Sequence, residues 1–487
     1  MKKLKRIFSS DLGKSISSGY LLFFLNNVVA LFLTPYMLRY ISKEEYGLYI
    51  MCVDFLAWVG FLEFGTSKVL ESKAGHLIVQ NNFKGLNISF NTSFFFQIIV
   101  AIIIFPLFFS LVYWGVDKPK VTNLELIIIL FSITASLTVF RNLFSALIIA
   151  SKKIHLDNRI QILTNVLNYI LIILLAPYVG VAGLACITLI TLLLMLVRSS
   201  FRVRQLFPGI KISYRSFDKE ELKRIFSLGL YFSLGSIATV LLLKIDSFVI
   251  GKQFGLETVA TFYITIKLYT LVQKVFQMFL NNFRPHISQL YGKLELDKIK
   301  NIYFILFYGT YSFAIICLAI VQLINKYFIE IWVGDGFYIG DEFNIFYGLW
   351  VLLDLLTLPS RIILNSSLVS TNKLSYARLG EALLRIAIIF ALLPFMGVAV
   401  VPISSIISCF IFGIIFQVYL MKRYFQIEDN KFVLSNVTPV VVLLLVFLLL
   451  FITHQTYYFK FVFLFAGLGF VAIFLNKYSK NINLTSI

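Results

Sequence analysis

Apolar stretches of 17–27 residues alternate along this chain with short polar gaps, and the pattern repeats about fourteen times. Each stretch is long enough to cross the hydrocarbon core of a bilayer as a helix. The pattern predicts spans at 16–38, 46–67, 88–113, 124–150, 160–178, 180–198, 225–250, 256–282, 301–325, 343–368, 379–395, 397–420, 434–453 and 459–476. Two pairs of spans meet with almost no gap, at "APYVGVAG" and "LPFMGVAV". Proline and glycine suit turns better than helix interiors, so these pairs read as tight hairpins.

Composition agrees with that pattern. The chain is 59% hydrophobic and 14% charged, and its mean hydropathy is +0.88. Soluble domains average about half apolar and a quarter charged. A core cannot hide the excess, so the expectation is an all-α polytopic membrane protein. The basic start "MKKLKRIF" precedes an apolar segment too long for a signal core, and no small-residue cleavage site follows it. It reads as a retained first helix.

The net charge of +19 does not point to nucleic acid, because the basic residues sit in the gaps between spans. With the amino terminus placed inside, inner segments hold 30 of the 43 basic residues, outer loops hold 7, and 6 lie within spans. Such a bias sets orientation and predicts both termini in the cytoplasm. Cys52, Cys186, Cys317 and Cys409 stand singly in apolar runs, with no disulfide framework or metal spacing.

The two halves of the chain resemble each other. "RNLFSALIIASKK" from Arg141 aligns with "RIILNSSLVSTNK" from Arg361, so Arg141 and Lys153 recur as Arg361 and Lys373. "PYVGVAG" aligns with "PFMGVAV", "YWGVDK" with "IWVGDG", and "SSGY" with "SLGL", at similar offsets. A parallel duplication of six helices predicts two lobes related by an axis along the membrane normal. The expected organisation is a first lobe over 1–200, a basic linker over 201–222, a second lobe over 223–422, and a further helix pair over 423–487.

Charges inside the spans are the candidate chemistry, because each costs about 2.5–3.5 kcal/mol on insertion scales. Arg141 lies roughly 16 Å from the basic end of its span at Lys152, far for snorkelling. It and Arg361 are expected either to face a cavity or to pair within their own lobes. Asp354 and Arg361 share a helix face, with Pro359 between them as a hinge or packing kink. Lys267, Thr270, Lys274, Gln277 and Asn281 form a polar stripe, expected to meet water or acidic partners. Glu381 and Arg385 are spaced as an i, i+4 pair and replace Gln161 and Asn165 of the first half. Asp54, Asp246, Asp354 and Glu381, with Glu63 nearer the inner face, could couple transport to an ion gradient or neutralise nearby cations, such as Asp246 with Lys244 or Lys267. The segment "KYFIEIWVGDGFYIGDEF" reads as an interfacial cap anchored by Trp332 and Tyr338. There is no Walker sequence. No catalytic acid pair or histidine sits on a sizeable aqueous loop, so no enzyme, metal or cofactor is expected.

"TPYMLRYISKEEYGLY", "IDSFVIGKQFGLETVATFY" and "EIWVGDGF" resemble the polysaccharide-transporter family of the multidrug/oligosaccharidyl-lipid/polysaccharide exporter superfamily. The resemblance implies an alternating-access flippase in the bacterial cytoplasmic (inner) membrane. Its cargo would be an undecaprenyl-pyrophosphate-linked oligosaccharide, such as an O-antigen (lipopolysaccharide), capsule or exopolysaccharide unit. Membrane lipid, a polymerase and chain-length machinery would be its partners. Arg141, Arg361, Lys267, Lys274 and Arg385 match a substrate-binding cationic cavity by role. Asp54, Asp246, Asp354, Glu381 and Pro359 match ion coupling or gating. Twelve helices are common among O-antigen flippases, so fourteen also fits a lipid II or teichoic-type precursor flippase. A cation-coupled multidrug exporter shares the fold, and a non-transporting scaffold or polymerase is the reading from another class.

Overall fold

The computed structural model describes residues 11–116, 121–367 and 371–426, and every regular element among them is helical. The expected helix pair beyond residue 423 lies outside the described residues apart from its first few. By internal contacts the chain divides into two compact units, Met1–Ala260 and Thr261–Ile487.

In the first unit, helix α1 (Asp11–Phe24) passes through a π-helical turn, Leu25–Val29, into α2 (Ala30–Leu38). Ser42 then caps α3 (Lys43–Leu56) through a reciprocal capping box: its hydroxyl accepts from the Glu45 amide at 3.1 Å, and the Glu45 carboxylate accepts from the Ser42 amide at 2.8 Å. The expected single span at 46–67 is interrupted. It continues as α4 (Val59–Leu62) and α5 (Thr66–Val79), and the break falls where Phe64 and Gly65 both take left-handed backbone. α6 (Phe83–Trp114) and α7 (Leu124–Ala150) follow, and α7 has the predicted bounds.

α8 (Ile154–Leu206) is 53 residues long, which as a straight helix would run about 80 Å, far more than a bilayer. It reverses at Gly180, whose φ of 55° and ψ of −163° no other residue type adopts cheaply. Asn168 donates to Thr191 Oγ1 at 3.1 Å, a contact centred on the reversal, as an antiparallel hairpin requires. α9 (Lys219–Leu243), capped by the Asp218 carboxylate, and α10 (Asp246–Phe254) pack against α3–α6. The first compact unit therefore extends past the 201–222 linker. That linker is strapped to α6 by two amides one turn apart. Asn87 Oδ1 accepts from the Lys211 amide at 3.0 Å, while Asn91 bonds the Lys211 carbonyl and the Ser213 amide at 2.9 and 2.8 Å.

α11 (Leu256–Thr265) crosses the boundary, and the second unit continues with α12 (Lys267–Asn281), α13 (Arg284–Gly292), α14 (Leu296–Val333) and α15 (Asp341–Ser366). The predicted span at 256–282 is thus divided at Ile266. α15 is the core helix of this unit, with 94% of its most apolar window buried. α16 (Thr371–Met396) returns through Gly397, at φ 56°, into α17 (Val400–Ser408), a π-helical stretch Cys409–Ile415, and α18 (Phe416–Tyr424). Gly397 is the repeat counterpart of Gly180, so both halves reverse on a left-handed glycine at the matching position. Among the described residues eight helices are long and apolar enough to cross a membrane, two of them being these hairpins. The chain is a multi-pass membrane protein.

Candidate functional site

The buried charges fall into local clusters, each inside one unit. In the first, Arg141 projects from the middle of α7 onto the first turn of α8. Its Nη2 donates to both carboxylate oxygens of Asp157, at 3.1 and 3.3 Å, while its Nε makes no hydrogen bond among the described residues. Asp157 is buried and also accepts from Gln161 Nε2 at 2.8 Å. This is the pairing within one lobe that the sequence left open beside the cavity. Asp157 was missed because it lies in the gap between predicted spans. Its place just past the turn, on the helix antiparallel to α7, is the signal that could have found it.

Further along α8 the polar positions continue. Asn165 donates to Asn26 Oδ1 at 2.8 Å, and the Tyr169 hydroxyl reaches the same oxygen at 3.3 Å. Asn26 sits in the π-helical turn of the first span, a local distortion that often accompanies function. Asp54, buried on α3, accepts from the Lys244 ammonium at the break between α9 and α10. The sequence offered Asp246 as a neutraliser of Lys244 or Lys267, and Lys244 meets Asp54. Asp246 is itself buried at the first turn of α10. Glu63, also buried, accepts from Ser67 at 2.8 Å.

The second unit holds a four-residue cluster. Arg361 reaches back two turns along α15, across Pro359, and its Nη2 donates at 2.9 Å to both the carbonyl and the carboxylate of Asp354. Proline removes the backbone donor that would otherwise reach the Leu355 carbonyl, and the Arg361 bonds to Asp354 bridge that turn. Arg378, on α16, lies 3.9 Å from Asp354 and 2.9 Å from Glu381. Two cations and two carboxylates are thereby gathered in one apolar surrounding. Arg378 was read as an inner-loop residue, yet α16 begins early enough to carry it two turns into the helix.

Arg385 is buried, with its guanidinium 6.0 Å from the Trp350 ring, a cation–π geometry. Gln273 donates to Asp354 at 3.3 Å from α12. The polar stripe expected on this helix lies off its buried face. Tyr269, Gln273 and Leu280 face the core, Lys274 and Asn281 are exposed, and Lys267 lies 5.1 Å over the Tyr263 ring. Tyr269, bonded to Asn344 at 3.0 Å, continues a buried polar seam that includes Asn325. The aromatic segment after α14 ends that helix at Gly334, and Tyr338 donates to Asp341 at 2.9 Å.

Chemically, these clusters hold cations against carboxylates inside each unit. Among the described residues no group of three or more His, Cys, Asp or Glu side chains could hold a metal ion.

Hairpins reversing on matched glycines, broken spans and internally neutralised charges characterise this helical membrane fold. It matches solved exporters. A multidrug resistance MATE family transporter of the MOP superfamily, inward-facing, aligns with a TM-score of 0.68 at 15% identity, covering 84% of this chain and 96% of that one. The outward-facing conformation gives 0.55 at 15% identity, covering 86% and 95%. A MATE protein in complex with MaD3S gives 0.57 at 16% identity, covering 85% and 94%. At such identities the likeness shows the fold alone. No curated protein sequence matches the chain. The profile of a family described as polysaccharide biosynthesis protein matches residues 36–336, more than half of the chain, so the chain belongs to that family.

Proposed function

We propose that this protein is an alternating-access flippase. It would carry an undecaprenyl-pyrophosphate-linked oligosaccharide across the bacterial cytoplasmic membrane, from inner to outer leaflet, through fourteen spans with both termini cytoplasmic. Membership of a polysaccharide-biosynthesis family, on the fold of a membrane exporter, is the observation that carries the reading. The cargo explains the chemistry. A diphosphate and glycan cannot cross hydrocarbon, whereas a polyprenyl tail need not leave it. Guanidinium groups suit the task because their planar donors grip phosphate oxygens and stay charged. Arg141 is the leading substrate contact, since its partner Asp157 binds it through one terminal nitrogen and stands on a different helix. Lys267 and Lys274 would meet the head group from α12. Arg385 is buried and Arg361 is tied to Asp354, so their roles would follow opening of the second unit's cluster, with Asp354, Glu381 and Pro359 as the coupling and gating elements. Asp54 and Asp246 would serve at the α3–α10 contact.

A cation-coupled exporter of small molecules is the second reading, favoured by the multidrug transporters that share the fold. Mass spectrometry of polyprenyl-diphosphate lipids from a strain lacking the gene separates the two. A defined lipid-linked saccharide accumulating in the cytoplasmic leaflet is the expected result. Unchanged pools with new sensitivity to small toxic compounds would overturn the flippase reading.

A further inference from the structure

Helices α4–α5 and α9 run antiparallel in the first unit, and the groove beside them changes character along its length. At the end that the charge pattern assigns to the cytoplasm lies a cavity of about 820 Å³, lined by Val69, Ser72, Lys73, His76, Glu220, Lys223, Arg224, Ser227 and Leu228. Deeper lies a second cavity of about 490 Å³, with Phe61, Leu62, Phe64, Leu230 and Ile237 in its wall. Ser227 borders both, so the two lie next to each other along α9.

The polar end is cationic for a structural reason. Lys73 is neutralised by Glu221, which is buried and also accepts from Ser89 at 2.6 Å. That pair ties α5 to α9 and α6. Lys223, Arg224 and His76 have no ion-pair partner among the described residues, and they are opposed at the rim by Glu220. Ser72 and Ser227 make no hydrogen bond there either. At the apolar end the hydroxyl of Ser233 is consumed by its own helix, donating to the Gly229 carbonyl at 2.9 Å, so that end offers no free polar group from Ser233. Along α9, Arg224 to Ile237 spans about 20 Å, two thirds of a hydrocarbon core.

We infer that this groove is a docking site for the lipid-linked substrate before transport. The diphosphate would lie on Lys223, Arg224 and His76, and the first isoprene units would follow Phe64, Phe61, Leu230 and Ile237. An apolar cavity next to a cationic one matches a diphosphate carried on a hydrocarbon chain. Charge complementarity fixes the direction of the head. The inference rests on the flippase reading and adds the place where the cargo first binds.

The test is native mass spectrometry of the full-length protein in detergent. The probes are a sugar-free polyprenyl diphosphate, the matching polyprenol and phosphatidylglycerol. Wild type should retain the diphosphate at least tenfold better than the polyprenol. Lys223→Gln with Arg224→Gln should lose at least tenfold in diphosphate binding, and Leu230→Trp should lose binding by filling the apolar cavity. All three positions are exposed, so an unchanged melting temperature is expected in both variants. Wild-type binding in both variants, or displacement of the diphosphate by equimolar phosphatidylglycerol, would overturn the site and leave the flippase reading standing. A wild-type protein that binds no polyprenyl diphosphate at all would remove both.

Discussion

Replacing Asp354 by asparagine tests the strongest electrostatic element. The carboxylate is 8% exposed, receives Arg361 at 2.9 Å and Gln273 at 3.3 Å, and lies 3.9 Å from Arg378. Asparagine keeps the shape but removes the charge, so Arg361, Arg378 and Glu381 are left with an uncompensated positive charge in an apolar surrounding. Breaking a buried pair from one side costs about 3–5 kcal/mol. At roughly 2–4 °C per kcal/mol for a unit of this size, the melting temperature should fall by about 6–20 °C. Adding Arg361→Met removes the stranded charge and should recover more than half of the loss. The assay is thermal unfolding of the purified protein in detergent, followed by tryptophan fluorescence, for wild type, both single variants and the double. A wild-type melting temperature in Asp354→Asn, or a double variant no better than the single, would refute the account of Arg361 and Asp354 as a coupled pair.

Arg141→Gln should abolish export while costing little stability once Asp157→Asn is added, and a double variant that transports normally would remove Arg141 from the substrate path. Exchanging the charges, Asp54→Lys with Lys244→Asp, should restore the stability that either change alone removes, measured by the same unfolding assay. Gly180→Ala and Gly397→Ala should each destabilise by about 1–2 kcal/mol, because alanine disfavours left-handed backbone, and equal melting temperatures would contradict the hairpin geometry.

The sequence was most legible where one physical rule dominates. Hydrophobic length set the helices, so Leu124–Ala150 agrees at both ends. The glycine requirement marked both reversals, and the repeat carried from Gly180 to Gly397. What stayed hidden was tertiary. The breaks at Phe64–Gly65 and Ile266 stand beside the single charges Glu63 and Lys267, which do not by themselves end a span, and at Gly229 an added Cβ would collide with the Phe64 carbonyl, so close approach of α9 accompanies the first break. Partners of the buried charges were equally hidden, because Asp157 and Arg378 lie near span ends that periodicity locates only to within a few residues.

The duplication also clarifies what is specific to each half. Arg141 and Arg361 occupy equivalent positions, but the first takes its carboxylate from the following helix and the second from its own, seven residues earlier. A neutralising acid on another helix is separable by helix motion, whereas one on the same helix moves with its arginine. In the proposed cycle Arg141 would exchange Asp157 for a phosphate by a shift of α7 against α8, while Arg361 would stay with the carboxylate of its own helix. If both arginines meet the cargo, they do so by different movements. A transport cycle that binds at one and releases at the other gains direction from that difference. Charge-conserving transfer of the acid, Asp354→Thr with Ala377→Asp, would give the second arginine the arrangement of the first. Export retained at the wild-type rate in that variant would show that the asymmetry carries no function, and a loss of export with the melting temperature preserved is the expected result.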